Sequence, residues 1–367
     1  MEDDTERADP GTRTKISRRG VLLGLAAVGG IAAVDVGGFL HAKGWWTPDA
    51  LTSSRIADRF EQLNGKHEGF RRNHAKGLSA TGYFESNGAG AAVSAAVVFQ
   101  PGRVPVTGRF SLSGGLPDAT DANATVRGLG LQFTLPNGEQ WRTAMVNLPV
   151  FLDSTPEGFY ERLLASKPVA GIGKPDPEKM AAFLAGHPET AAAMQIVRQH
   201  PPTSGFGDST FRGLNAFGVT DATGATAAVR WMLVPEQPPE PADQAHPGKN
   251  YLFDALIRAV AIEPLRWRLM LTVGEPGDPT ADATKAWPEG RRTIDVGSVT
   301  IDSVQTEGPG NARDINFDPL VLPVGITPSD DPLLHARSAV YARSFTRRSG
   351  ESPQPSAVTV EEVLDAR

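Results

Sequence analysis

Short segments of alternating apolar and polar residues, each closed by Gly, Pro or Asn, recur along this chain of 367 residues. Successive side chains of a strand point to opposite faces, so such segments bury one face and pair side by side. They read as strands over 106–114 (VTGRFSLSG), 128–135 (GLGLQFTL), 141–148 (WRTAMVNL), 225–234 (ATAAVRWMLV), 265–273 (LRWRLMLTV) and 293–303. The run AAVSAAVVFQ over 91–100 reads as another, and so does the stretch that follows HAKG and ends at Ser86. The Asn-Gly pair of LPNGEQ is a hairpin signal. With 39 glycines and 30 prolines, the chain has the turns this pattern needs.

Between the strands the period changes. TPDALTSSRIADRFEQLNG places Leu51, Ile56, Phe60 and Leu63 at helical spacing, with Gly65 as a stop. TPEGFYERLLAS has Thr155 as N-cap and Pro156 at the first helical position, and DPEKMAAFLAG repeats the device with Asp176 and Pro177. HPETAAAMQIVRQH makes a third helix of this group, and PEQPPEPADQAHPG a proline-rich loop. SDDPLLHARSAVYARSFTRRSG is a long helix capped by Asp331, begun by Pro332 and stopped by Gly350. The expected class is α+β: antiparallel strands, about eight of them, closed into a barrel with helical insertions.

The start of the chain reads as a targeting segment. Residues 1–12 are polar, Lys15, Arg18 and Arg19 form a basic stretch, and Val21 to Val34 is an apolar run rich in Gly and Ala. The order Ser17-Arg18-Arg19-Gly20-Val21-Leu22 resembles a twin-arginine signal. The expectation is export to the periplasm through the twin-arginine machinery, with Ala42 as a cleavage position or the segment kept as a membrane anchor. The chain then divides into a start and leader over 1–43, a folded domain over 44–350 and a tail over 351–367.

Several chemistries are excluded at once. There is no cysteine, so disulfides, zinc thiolates, iron–sulfur clusters and a thiol nucleophile are absent. A net charge of −6 without a long basic block argues against a nucleic-acid partner. No His-x-x-x-His spacing and no glycine-rich phosphate loop ahead of a helix occurs.

Two stretches stand out against this background. FRRNHAKGLSATGYFES puts a basic pair, an Asn and a His directly ahead of a strand. In the last helix, Arg337, Tyr341 and Arg348 fall at i, i+4 and i+11, on one face. A single histidine before a strand is most often a solvated loop residue, and a tyrosine between arginines is most often packed surface.

Taken with their neighbours, these residues resemble the haem catalases, and among them the small catalase-related peroxidases. RRNHAKG is similar to the family's Arg-x-x-His-Ala-Lys-Gly, with Arg71 and His74 in the matching places. GRFS supplies Arg109 and Ser111, and VNLPVF resembles the Asn-x-Pro-Val-Phe segment with Asn147 at its asparagine. DATKAWP and NFDPLVLPVGITPSDDPLLHARSAVYARSFTRR resemble the family's later segments, in the same order along the chain. Departures are Ala339 for a usual Phe, Arg343 for a usual Asp, and Asn73 for a usual Val before the histidine.

The resemblance implies a catalase-like eight-stranded barrel lacking the C-terminal domain of large catalases, and a b-type haem held between His74 and Tyr341. Tyr341 would be the axial ligand as a phenolate, favoured by Arg337. Arg71, Arg109 and Arg348 would meet the haem propionates. His74 would move protons, Ser111 would fix its ring, and Asn147 would orient the peroxide. The implied activity is peroxidase, with hydrogen or organic peroxide as substrate, a small organic electron donor and weak catalase activity. A peroxide-disproportionating catalase, a hydroperoxide isomerase or dehydratase, and a haem carrier are the alternatives; the implied assembly is a monomer or small homo-oligomer.

Overall fold

A computed structural model describes residues 51–169, 171, 173–239 and 248–366. Its strands are β1 (Gly77–Ser86), β2 (Gly102–Leu112), β3 (Arg127–Thr134), β4 (Gln140–Val146), β5 (Phe211–Arg212), β6 (Phe217–Thr220), β7 (Thr226–Pro235), β8 (Leu265–Val273), β9 (Thr293–Gln305) and β10 (Ile326–Pro328). Neighbours run β7-β5-β4-β3-β2-β1-β9-β8, and β8 pairs back onto β7. That closes an eight-stranded antiparallel barrel, with β6 and β10 added beside β7. Closure leaves no free edge in the ring.

Alternation decides what fills it. Phe110 and Leu112 of β2, Leu129, Leu131 and Phe133 of β3, Trp141 and Met145 of β4 and Trp231 of β7 are buried in the core. Trp141 stacks on Phe133 at 4.7 Å and meets Trp231 edge-on at 5.0 Å. Trp231 satisfies its buried N–H on Thr143 Oγ1 at 2.9 Å, as a buried indole requires.

The helices are α1 (Ser53–Asn64), α2 (Pro156–Ala165), α3 (Pro177–Gly186), α4 (Pro188–Arg198), α5 (Tyr251–Ile262), α6 (Pro332–Ser349) and α7 (Val360–Asp365). Asp331 caps α6 by accepting from Leu333 N at 2.9 Å, and Thr155 caps α2 by accepting from Gly158 N at 3.0 Å. Two readings need correction. Residues 91–100 form two short 3-10 turns, Ala89–Ala92 and Val97–Phe99, rather than a strand. Alanines fit a pleated surface poorly, and Phe99 turns inward to meet Trp141 at 5.8 Å. Helix α5 follows the proline-rich loop, where the sequence reading placed no helix; it buries Leu252, Phe253, Leu256, Ile257 and Val260 along one side. Beyond α6, Val358 and Val360 enter the core.

Ion pairs join α1, α6 and the segment ahead of β1. Arg72 pairs with Glu61 of α1 at 2.7 Å and with Glu351, just past α6. Arg347 of α6 reaches Glu61 at 2.9 Å and also pairs with Asp58. The leader, with Ala42, lies outside the described residues. Among the described residues no helix is long and apolar enough to cross a membrane. The expected membrane anchor is corrected to that statement, and the export reading falls on the leader, outside the described residues.

Candidate active site

Barrel register lays out the floor of a cavity on the outer face of β2, β3 and β4. Ser111, Gly128 and Val146 form one cross-strand row; Arg109, Gly130 and Ala144 form the next. Their neighbours Phe110, Leu129 and Met145 point into the core, so period two alone separates floor from core. Both glycines are needed for space. A Cβ on Gly128 would meet Ser111 Oγ at 2.8 Å and the His74 ring at 3.1 Å; one on Gly130 would meet the Phe317 ring at 2.8 Å.

His74 arrives over this floor from the segment before β1, with φ at 56°. That left-handed value is uncommon outside glycine. Arg109 Nη1 donates to the His74 carbonyl at 2.8 Å and fixes the bend. On the ring, Nδ1 lies 3.0 Å from Ser111 Oγ, while Nε2 has no protein partner among the described residues. Burial, then the charges of Arg109, Arg71 and Arg337, push the His74 pKa down to about 3. The imidazole is therefore neutral at ordinary pH, with one ring nitrogen unprotonated.

Helix α6 presents Tyr341 and Arg337 to the same cavity, one turn apart. Arg337 Nη2 lies 3.5 Å from Tyr341 Oη and donates to the Ala144 carbonyl at 3.0 Å. Its Nη1 donates to Asn215 Oδ1, and Asn215 Nδ2 donates to the cap residue Asp331 at 2.7 Å. A hydrogen-bonded series thus runs from the buried Asp331 carboxylate to the phenol. Burial raises the Asp331 pKa, against the Asn215 hydrogen bond that opposes it.

One end of the cavity is cationic. Arg109 grips Glu307 at two points, 2.7 and 2.8 Å, and Arg71 lies 3.6 Å from the same carboxylate. Arg71 and Arg348 also share the Ile315 carbonyl, at 2.8 and 3.3 Å. Three guanidiniums therefore face one buried carboxylate, since nearby Asp314 is paired with Arg313. Burial and mutual repulsion lower the Arg71 pKa well below its ordinary value and bring Arg348 to about 10. Glu307 is held below the usual carboxylate range, because the arginines outweigh the effect of burial. The positive excess calls for a ligand with carboxylates at this end.

The space itself is about 1270 Å³ including its mouth, walled mainly by apolar groups such as Ile56, Phe60, Phe151 and Phe159. His74, Ser111, Arg71, Arg109, Arg337, Arg348 and Tyr341 all line it. Asn147 does not, and its expected place there is corrected: Oδ1 accepts from Arg127 N at 2.9 Å and Nδ2 donates to Thr125 O at 3.1 Å. Those bonds tie its amide to the start of β3. Glu307 and Asn215 were not singled out in the sequence; each sits in a turn-rich segment without periodicity.

The family model described as catalase matches residues 44–358. The chain belongs to the catalase family. Membership implies a haem, and the residues here suit one: a mainly apolar cavity lined by a phenol, an imidazole and surplus guanidiniums for carboxylates. Similar proteins include a catalase-related peroxidase of Synechococcus elongatus, 37% identical over 89% of this chain and 96% of its own. Another, of Mycolicibacterium paratuberculosis, is 32% identical over 82% of this chain and 96% of its own. Among solved structures, a bacterial catalase superposes with a TM-score of 0.66 at 21% identity, and catalase A of Saccharomyces cerevisiae with 0.66 at 20%. These two show the shared fold; they cover 82% of this chain and 62% and 65% of their own.

Proposed function

We propose that the protein is a haem peroxidase that reduces hydrogen peroxide and organic peroxides at the expense of a small organic electron donor, with weak catalase activity. The observation that carries this reading is the meeting of His74, Tyr341 and the arginine cluster on one cavity. Tyr341, as phenolate, would ligate the iron of a b-type haem, whose redox chemistry cleaves the peroxide bond and later oxidises the donor.

The chain's own residues do the rest. Arg71, Arg109 and Arg348 would hold the carboxylates of the haem, and those carboxylates offset the positive excess. Arg337 stabilises the phenolate and keeps Tyr341 pointed inward. Ser111 accepts Nδ1–H of His74, which leaves the Nε2 lone pair facing the cavity. Nε2 then takes the proton of the entering peroxide and returns it to the departing oxygen, which leaves as water or alcohol. Apolar walls exclude water and leave room for an alkyl group, which favours organic peroxides beside hydrogen peroxide.

Absorption spectra of purified protein, before and after peroxide, test the reading together with donor oxidation and oxygen release. The expected result is a haem band that responds to peroxide and returns as donor is oxidised. Rapid oxygen release without donor use would indicate disproportionation. Epoxide or ketone products without donor use would indicate an isomerase or dehydratase. A haem band inert to peroxide would indicate a carrier.

A further inference from the structure

We infer that Asn73, the residue immediately before His74, contacts the bound peroxide and holds its outer oxygen in line with the imidazole. The inference rests on the peroxidase reading given above. Successive side chains in an extended segment point to opposite sides. Here both Asn73 and His74 line the cavity, because the left-handed turn at His74 rotates the second side chain round to join the first. Asn73 is anchored at one end only. Gly114 N donates to its side chain at 2.8 Å, and an N–H can face only an oxygen, so that atom is Oδ1. The amide nitrogen is then the end left over, and Nδ2 has no protein partner among the described residues.

A half-buried amide donor without an acceptor is costly, and an oxygen-bearing ligand in the cavity offsets that cost. The cavity wall is mainly apolar, with His74, Ser111 and the arginines among its polar groups. Asn147 cannot take this place, because it is bonded to the backbone of Thr125 and Arg127 off the cavity. The division of labour is then simple. His74 carries the proton from the inner to the outer peroxide oxygen. Asn73 loses no proton; it donates a hydrogen bond to the outer oxygen and strengthens that bond as negative charge develops there.

Two variants of the haem-loaded full chain separate this role from a structural one. Asn73→Asp keeps the oxygen that Gly114 uses, removes the donor and adds a carboxylate. Asn73→Val removes both and introduces no charge. Each should keep the haem band, slow the reaction with peroxide about 10-fold, and weaken fluoride binding to the ferric protein by a similar factor, the worth of about one hydrogen bond. Fluoride accepts hydrogen bonds at the iron and reports the donor without turnover. Wild-type fluoride affinity and peroxide rate in Asn73→Asp would overturn the inference, even if Asn73→Val were impaired, since the loop contact alone would then explain the loss. A wild-type protein with haem but no response to peroxide would overturn the peroxidase reading instead, and His74→Ala would then be equally silent.

Discussion

Arg337 and Tyr341 sit one helical turn apart on α6, with Nη2 3.5 Å from the phenol oxygen. The same guanidinium is held by the Ala144 carbonyl of β4 and by Asn215, so α6 is fixed against the barrel by the group that also orients its tyrosine. Among the described residues Tyr341 makes no other hydrogen bond, so its loss should leave the chain folded.

The first prediction follows. Tyr341→Phe should keep the far-ultraviolet circular dichroism and shift the melting temperature of the haem-free protein by only a few degrees, about 1 kcal/mol for one modest hydrogen bond. It should fail to retain haem through gel filtration. Full retention with an unchanged spectrum would remove Tyr341 as the ligand.

His74 makes a pH-dependent demand on the fold. Its folded pKa is lowered to about 3 from an ordinary 6.5. Below the ordinary value the unfolded chain binds a proton that the folded chain refuses, so stability falls as pH drops from about 6.5 towards 3 and is unaffected above. His74→Gln removes this term. Between pH 7 and pH 5 the haem-free wild type should lose about 2 kcal/mol more than the variant. Urea midpoints at the two pH values measure it, and equal losses would show that the imidazole is not held neutral.

Legibility in the sequence followed the range of the interaction. The long helix could be read residue by residue, because Asp331, Pro332 and Gly350 act within one turn of its ends, and helical spacing alone put Arg337, Tyr341 and Arg348 on one face. The barrel strands were legible through alternation, except where alanines over 91–100 carried an apolar run without strand geometry. Glu307 gave no sign, since its partner Arg109 is 198 positions away in the chain and nothing local marks either as half of a pair. Asn215 was equally silent: it reaches Arg337 from a turn where Leu214 takes φ of 65°, which no period records. Asn147 was misplaced for the opposite reason, a sequence match that did not say where its amide would bond.

The floor of the cavity offers a steric test. A Cβ at Gly128 would press on Ser111 Oγ and the His74 ring, 2.8 and 3.1 Å away. Strand backbone tolerates alanine, so Gly128→Ala should fold. The His74 ring must tilt, and the Ser111 contact must lengthen. The reaction with peroxide should slow by about 10²-fold, the lower range for a displaced acid–base group, while haem is still bound. Stopped-flow absorbance reads the rate; wild-type kinetics would show that the ring has slack.

The clasp between α6 and the segment ahead of β1 should loosen in strong acid. Glu351 receives the Arg72 guanidinium at two points and the Gly69 N–H at 2.9 Å, with only 13% of its side chain exposed. The Arg72 hydrogen bonds lead in pulling its pKa from an ordinary 4.5 to about 2. A lowered carboxylate stabilises the fold fully above its unfolded value, and that contribution disappears as pH falls from about 4.5 to about 2. Glu351→Gln should therefore cost about 2–3 kcal/mol at pH 7 and almost nothing near pH 2. Because Arg72 N also donates to Ser344 Oγ of α6 at 3.2 Å, the variant loosens the segment that delivers Asn73 and His74 to the cavity. Amide hydrogen exchange over residues 66–75 should rise at pH 7 in Glu351→Gln, and exchange confined to the helix end would show that the clasp does not reach the histidine.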